Sequence, residues 1–201
     1  MNKRYFVTGI DTDSGKTIAS AILTEKLKAD YWKPVQAGFP TDSETIKSLV
    51  SDDLIIHSEG KILQAPMSPH AAAAREDFDL RIENLNLPET ENTLIIEGAG
   101  GIMVPLNDDE LVIDLAKKFE TEVILVSRNY LGSINHTLLS IEYLKQKNYP
   151  IAGIIFNDET HPESEEYILN YSGLKCLGRI EKLEEVTPET ITAQTKNISL
   201  P

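Results

Sequence analysis

The chain has 201 residues, 41% of them hydrophobic and 25% charged, enough to bury a core without disulfides or metals and far from the compositions of disordered or fibrous chains. Nineteen Lys and Arg stand against 32 Asp and Glu, a formal net charge of -13, which repels nucleic-acid backbones and anionic membrane surfaces. A small anion can still be held, because oriented amides, one lysine and a metal ion outweigh a distant net charge locally.

In chain order, Tyr5-Phe6-Val7-Thr8 predicts a short buried strand, its aromatic and β-branched residues ending at Gly9. From Thr17 the spacing turns helical, with Ile18, Ala21, Ile22 and Leu23 ahead of the charged end at Lys26 and Lys28. Tyr31-Trp32-Lys33 predicts another short strand, which Pro34 brings to an end. Between residues 51 and 88 the patterning is weak, and only Ala71 to Ala74 suggests a helix. Thr93-Leu94-Ile95-Ile96, Val123-Ile124-Leu125-Val126 and the run from Ile151 to Phe156 are too short for helices and too continuous for half-exposed strands. They predict central strands of a parallel sheet. Helical segments are expected around Glu110 to Phe119 and from Ser133 to Lys147, where Ile134, Leu138, Ile141 and Leu144 share a face. This alternation implies one α/β domain over residues 1–201, a mostly parallel central sheet with helices on both faces.

The tail after Thr187 is polar and carries no assigned element. Cys176 stands alone, so an intramolecular disulfide is excluded and a buried structural thiol is expected. No apolar run approaches the ~20 residues that span a bilayer, and the N-terminus lacks a signal-peptide pattern. The expectation is a cytoplasmic protein. His57 and His161 belong to no motif and are expected at the surface.

The segment Gly9-Ile10-Asp11-Thr12-Asp13-Ser14-Gly15-Lys16-Thr17 lies between a predicted strand and a predicted helix, the context of a phosphate-binding loop. Amides at the helix start face phosphate oxygens, Lys16 reaches the β and γ phosphates, and the Thr17 hydroxyl serves Mg²⁺. Ile10 makes the spacing one residue longer than usual. Glu97 closes a buried apolar run, where an acid must be paired or hold a cation. The glycines after it, Gly98-Ala99-Gly100-Gly101, allow close backbone approach to phosphate. Asn157 and Asp158 follow the Ile151 strand, at the rim where open α/β sheets bind ligands, although the pair is also common turn chemistry.

This long-spaced loop, with Lys33-Pro34-Val35-Gln36, Ser68-Pro69-His70, Glu97-Gly98-Ala99-Gly100-Gly101, Gly132 with Ile134-Asn135-His136-Thr137, and Gly153 through Asn157-Asp158, resembles the dethiobiotin synthetase family of the P-loop NTPase superfamily. The likeness covers residues 1 to about 180. It implies ATP- and Mg²⁺-dependent closure of 7,8-diaminononanoate with CO₂ to dethiobiotin, ADP and phosphate, in biotin biosynthesis, by a homodimer. It further implies catalytic roles for Lys33, Lys16 and Thr12. ATP is held by Asp13 to Thr17, Asp42, Glu97 to Gly100, Asn157 and Asp158, and Mg²⁺ by Thr17, Asp42 and Glu97. Lys33 and position 37 contact the diamine. Asp42 also lies in Thr41-Asp42-Ser43-Glu44, a helix N-cap pattern. The family segments containing His70 and His136 give these histidines no catalytic role.

Two positions depart from the family. Ala37 stands where a Ser or Thr hydroxyl is common, and Gly178-Arg179-Ile180-Glu181 stands where Gly-x-Ile-Pro is usual. A rival reading, a partitioning or regulatory ATPase, requires a second lysine five residues before Lys16, where this chain has Asp11. An amidotransferase-type synthetase requires a further glutaminase domain with a catalytic cysteine, for which this length and Cys176 leave no room.

Overall fold

Strand β1 (Arg4–Gly9) runs through the middle of a six-stranded sheet in a computed structural model that describes residues 3–200. The sheet order is β2 (Asp30–Trp32), β5 (Leu94–Gly101), β1, β6 (Glu122–Arg128), β7 (Ile151–Asn157) and β8 (Cys176–Ile180), and every pairing is parallel. Parallel strands need crossovers, and helices supply them on both faces. Tyr5, Val7, Ile95 and Ile124 point to one face. There they pack on α1 (Lys16–Leu27), α2 (Asp42–Leu49) and α7 (Pro188–Gln194) through Ile22, Leu23, Ile46 and Ile191. Phe6, Ile96, Val123 and Leu125 point to the other face, against α3 (Pro69–Arg75), α4 (Asp114–Lys118), α5 (Ser133–Gln146) and α6 (Pro162–Ser172). Both faces being covered explains why the strand sequences read as continuous apolar runs.

A small parallel pair, β3 (Val35–Ala37) with β4 (Lys61–Leu63), follows β2 and was not apparent in the sequence. The C-terminal ends of the main strands share one rim, and the loops after β1, β5 and β7 meet there.

Four expectations are corrected. The helix expected from Glu110 is confined to Asp114–Lys118, because Glu110 closes a turn through Leu106 N–H (2.8 Å) and Leu111 forms a bridge with Pro105. Cys176 is exposed, since it opens β8, the last strand in the sheet order. The tail is ordered: Thr187 and Thr190 form a capping box, Pro188 occupies the first turn, and Ile191 and Ile198 are buried on the α1 face. His57 is half-buried, with Nε2 3.1 Å from Asp30 Oδ2, so the short β2 edge is stapled by a side-chain contact.

Candidate active site

The loop after β1 makes a short 3-10 turn over Thr12–Ser14, started by Asp11 Oδ1 accepting from Thr12 N–H at 2.7 Å. Gly15 then adopts φ +92°, and a Cβ there would lie 2.0 Å from Asn157 Nδ2. Glycine is therefore required twice over, by backbone conformation and by space. No side chain caps the first turn of α1, which leaves its amides and the positive end of the helix dipole for an anion. Lys16 is 5% exposed and folds over its own loop, donating to Asp11 O at 3.0 Å and Thr12 O at 2.9 Å. Burial pushes its ammonium down to about 8, against the upward pull of Glu97.

The charged centre lies beside this loop. Lys33, just past β2 and 3% exposed, donates to Asp42 Oδ2 at 2.5 Å, Glu97 Oε1 at 3.0 Å and Gly98 O at 3.0 Å. Burial alone would lower its pKa, but the Glu97 and Asp42 carboxylates hold it above the ordinary lysine value. Asp42 answers in the opposite direction: burial raises its pKa, yet Lys33 keeps it below the usual carboxylate range. Thr17 Oγ1 donates to Asp42 Oδ1 at 3.2 Å and Glu97 Oε1 at 3.1 Å. The helix-cap reading of the Asp42 segment is seen in the structure. Thr41 and Glu44 form the capping box of α2, and Asp42 at the first helical position turns into the site.

Thr12, Asp13, Lys16, Thr17, Lys33, Ala37, Asp42, Glu97, Ala99 and Gly100 line one cavity of about 590 Å³. The remaining sequence candidates lie around it rather than in it. Ser14 is buried, its Oγ packed against Gly9. Gly98 turns its Cα toward the Phe6 ring, where a Cβ would meet Cε1 at 3.0 Å, so its smallness serves sheet packing and its carbonyl serves Lys33. Asn157 and Asp158 line a second cavity of about 260 Å³ with Ile18 and Ile180, joined to the phosphate loop by Asn157 Nδ2 donating to Ser14 O at 2.9 Å.

Tyr31 and Gln36 were missed in the sequence. The Tyr31 hydroxyl donates to Glu97 Oε2 at 3.0 Å, and Gln36 Oε1 accepts from Asp42 N–H at 3.1 Å. Tyr31 could have been found, because it lies two residues before Lys33 and so shares its side of an extended chain.

Thr17, Asp42 and Glu97 present hydroxyl and carboxylate oxygens to one point. That donor set fits Mg²⁺, which takes one or two carboxylates and completes its shell with phosphate and water oxygens. A cluster of three or more His, Cys, Asp or Glu able to cage a metal is absent among the described residues.

The AAA domain family matches residues 3–190. The ATP-dependent dethiobiotin synthetase BioD of Cytophaga hutchinsonii is 53% identical over 194 residues, 95% of this chain and 94% of its own length. That of Christiangramia forsetii is 54% identical over 185 residues, covering 90% and 89%. The chain belongs to the ATP-dependent dethiobiotin synthetase family. Within dethiobiotin synthetases the relatives match nearly end to end. Solved structures extend the fold more widely. A ParA family ATPase from Chlorobium tepidum has a TM-score of 0.59 at 13% identity, each chain covered over 98%. The septum site-determining protein MinD of Pyrococcus horikoshii, complexed with Mg-ADP, has a TM-score of 0.58 at 17% identity, with 98% and 89% covered. These identify a P-loop NTPase fold and nothing narrower.

One expected result follows from Lys16 alone. Bound phosphates restore its ammonium, so nucleotide binding above about pH 8 takes up a proton, the window running from the lowered value toward 10.5. Calorimetry of ATP binding in two buffers of different ionisation heat checks this. Identical heats in both would contradict it.

Proposed function

We propose that residues 1–201 form one ligase domain, an ATP-dependent dethiobiotin synthetase acting on 7,8-diaminononanoate, CO₂ and ATP in the cytoplasm. The observation that carries this reading is the meeting of Lys33 with Thr17, Asp42 and Glu97 beside Lys16. A charge cluster next to a phosphate loop suits transfer of phosphate to an anionic acceptor, where alignment and charge neutralisation do most of the work.

In this mechanism one amine of the diamine adds to CO₂, giving a carbamate. Its oxygen attacks the γ-phosphorus, the β,γ bridging bond breaks, and ADP leaves. The second amine then attacks the carbamoyl carbon, the C–O bond to the phosphoryl group breaks, and phosphate leaves with closure of the urea ring. Lys33 holds the carbamate and the transferring oxygens, Lys16 and the first-turn amides hold the β and γ phosphates, and Thr12 flanks the transfer. Thr17, Asp42 and Glu97 would hold Mg²⁺, which supplies charge neutralisation on the phosphates when bound. Asn157 and Asp158 form a wall for the nucleotide base. Phosphate release should depend on both the diamine and bicarbonate. Equal ATP turnover without them would sink the ligase reading.

The switch-ATPase reading has no residue to carry it, since Asp11 occupies the position of the second lysine and its carboxylate caps the loop. Ala37 faces the same cavity as Lys33, so Ala37→Ser should restore a hydroxyl to the diamine side. A fall of about tenfold or less in diamine KM is expected, with ATP KM unchanged. An unchanged or raised diamine KM would remove the contact.

A homodimer is proposed with the start of α5 at the interface. Leu131, Leu139 and Met103 are exposed there, around an apolar hollow of about 360 Å³ containing His136 and Tyr143. Exposed apolar surface of this kind is usually covered by a partner. Sedimentation together with kinetics across dilution tests it, and a fully active monomer would count against it. Among the described residues, no helix is long and apolar enough to cross a membrane.

A further inference from the structure

We propose that Arg179, at the end of β8, is a positioning residue that clasps the loop after β7 and thereby sets the affinity for the nucleotide base. The inference rests on the reading of the 260 Å³ cavity as the base site. Asp158, which lines that cavity, has φ +74°, a left-handed conformation that Asp adopts more readily than most side chains. Arg179 grips the backbone at and just after it. One Nη donates to Asp158 O at 2.6 Å, and the other donates to Glu159 O at 2.6 Å and Glu165 Oε1 at 2.7 Å.

The clasp is anchored on its far side. Glu165, in the first turn of α6, also accepts from Asn129 Nδ2 at 2.6 Å, and that amide donates to Glu159 O at 2.8 Å. Arg128 Nε holds Asp158 Oδ2 at 2.7 Å. Arg179 thus ties the end of β8 directly to the loop after β7, and the end of β6 joins through Asn129 and Arg128. The guanidinium spreads these bonds over two nitrogens of a planar fork, a reach that a lysine ammonium, with its three donors on one nitrogen, does not reproduce. Asn157, the residue before Asp158, lies between the clasp and the phosphate loop through its bond to Ser14 O. Loosening Arg179 therefore moves the wall of the base cavity while Lys16 and Lys33 stay on elements of their own.

The test separates base from phosphate. Binding of ATP and of inorganic tripolyphosphate is measured by calorimetry on the wild type, Arg179→Lys and Glu165→Gln, with thermal melting recorded in parallel. For Arg179→Lys we expect the ATP Kd to rise about tenfold with tripolyphosphate unchanged, and the ATP KM to rise without loss of kcat. Glu165→Gln keeps the acceptor but loses its charge, and should shift ATP binding in the same direction by about threefold. If Arg179→Lys does not fold, Glu165→Gln decides. Unchanged ATP binding in the folded variants, or equal losses for ATP and tripolyphosphate, would overturn the clasp. A wild type that binds tripolyphosphate as tightly as ATP would remove the base-site reading itself, and the proposal with it.

Discussion

Lys16→Met is expected to abolish measurable turnover while leaving the fold as stable as before or more so. Losing a cation aimed at charge that develops in the transition state typically costs a factor on the order of 10² to 10³, and the β and γ phosphates carry most of the charge here. Stability should move the other way. The Lys16 ammonium is buried and its pKa falls to about 8 in the folded chain against 10.5 ordinarily. The folded state thus releases that proton more readily than the unfolded state, which makes the charge an adverse contribution below about pH 8, relieved as pH rises toward 10.5. Methionine keeps most of the stem and drops the charge. Thermal melting and steady-state kinetics on the same preparation check both halves. A folded variant with near-normal turnover would refute the assigned role, and a large fall in Tm would refute the stability argument.

Lys33→Met should lose both activity and stability, and the contrast with Lys16 is informative. Lys33 is the cation between Asp42 and Glu97, at 2.5 and 3.0 Å, and Glu97 is 1% exposed. Removing one partner of a buried ion pair typically costs about 3–5 kcal/mol, because the other charge stays behind without compensation. The pKa directions agree in sign. Lys33 is raised, so its contribution is present below the ordinary lysine value and fades as pH climbs through the folded one. Asp42 is lowered, so its contribution is present above the ordinary carboxylate value and fades on acidification. In the variant, Mg²⁺ with ATP should raise Tm by more than in the wild type, since a cation then meets two unpaired carboxylates. Wild-type melting of Lys33→Met would show that the pair contributes nothing to the fold.

The sheet was legible because its strands are buried on both faces. Leu94-Ile95-Ile96 and Val123 to Val126 carry no polar alternation that could have suggested another architecture. The loop was legible because its geometry restricts it, with Gly15 forced by its φ and by the closeness of Asn157. What escaped was decided by partners distant in sequence. Glu110 looked helical in its own window, but Asn107 and Leu106 draw it into a turn. The tail looked merely polar, yet Ile191 and Ile198 suffice to seal it onto α1. Cys176 was misjudged because apolar neighbours do not reveal that a strand is an edge. Within the site, the acids and lysines were visible one by one as types at strand ends. The bond from Tyr31 to Glu97 needs β2 beside β5, and the Gln36 brace on Asp42 needs β3 beside the start of α2.

The central position of β1 shapes how the chain can be born. Arg4 pairs with Leu94 on one side and Tyr5 with Glu122 on the other, so β1 waits for partners synthesised far later. Until β5 and β6 emerge, an apolar strand with both hydrogen-bonding edges open has nowhere native to go, and such segments are prone to misassociation. The α1 face is also closed last, by α7 near the C-terminus. Synthesis pauses, chaperone supply and truncations near the end should therefore govern yield more strongly than substitutions on the outer helices.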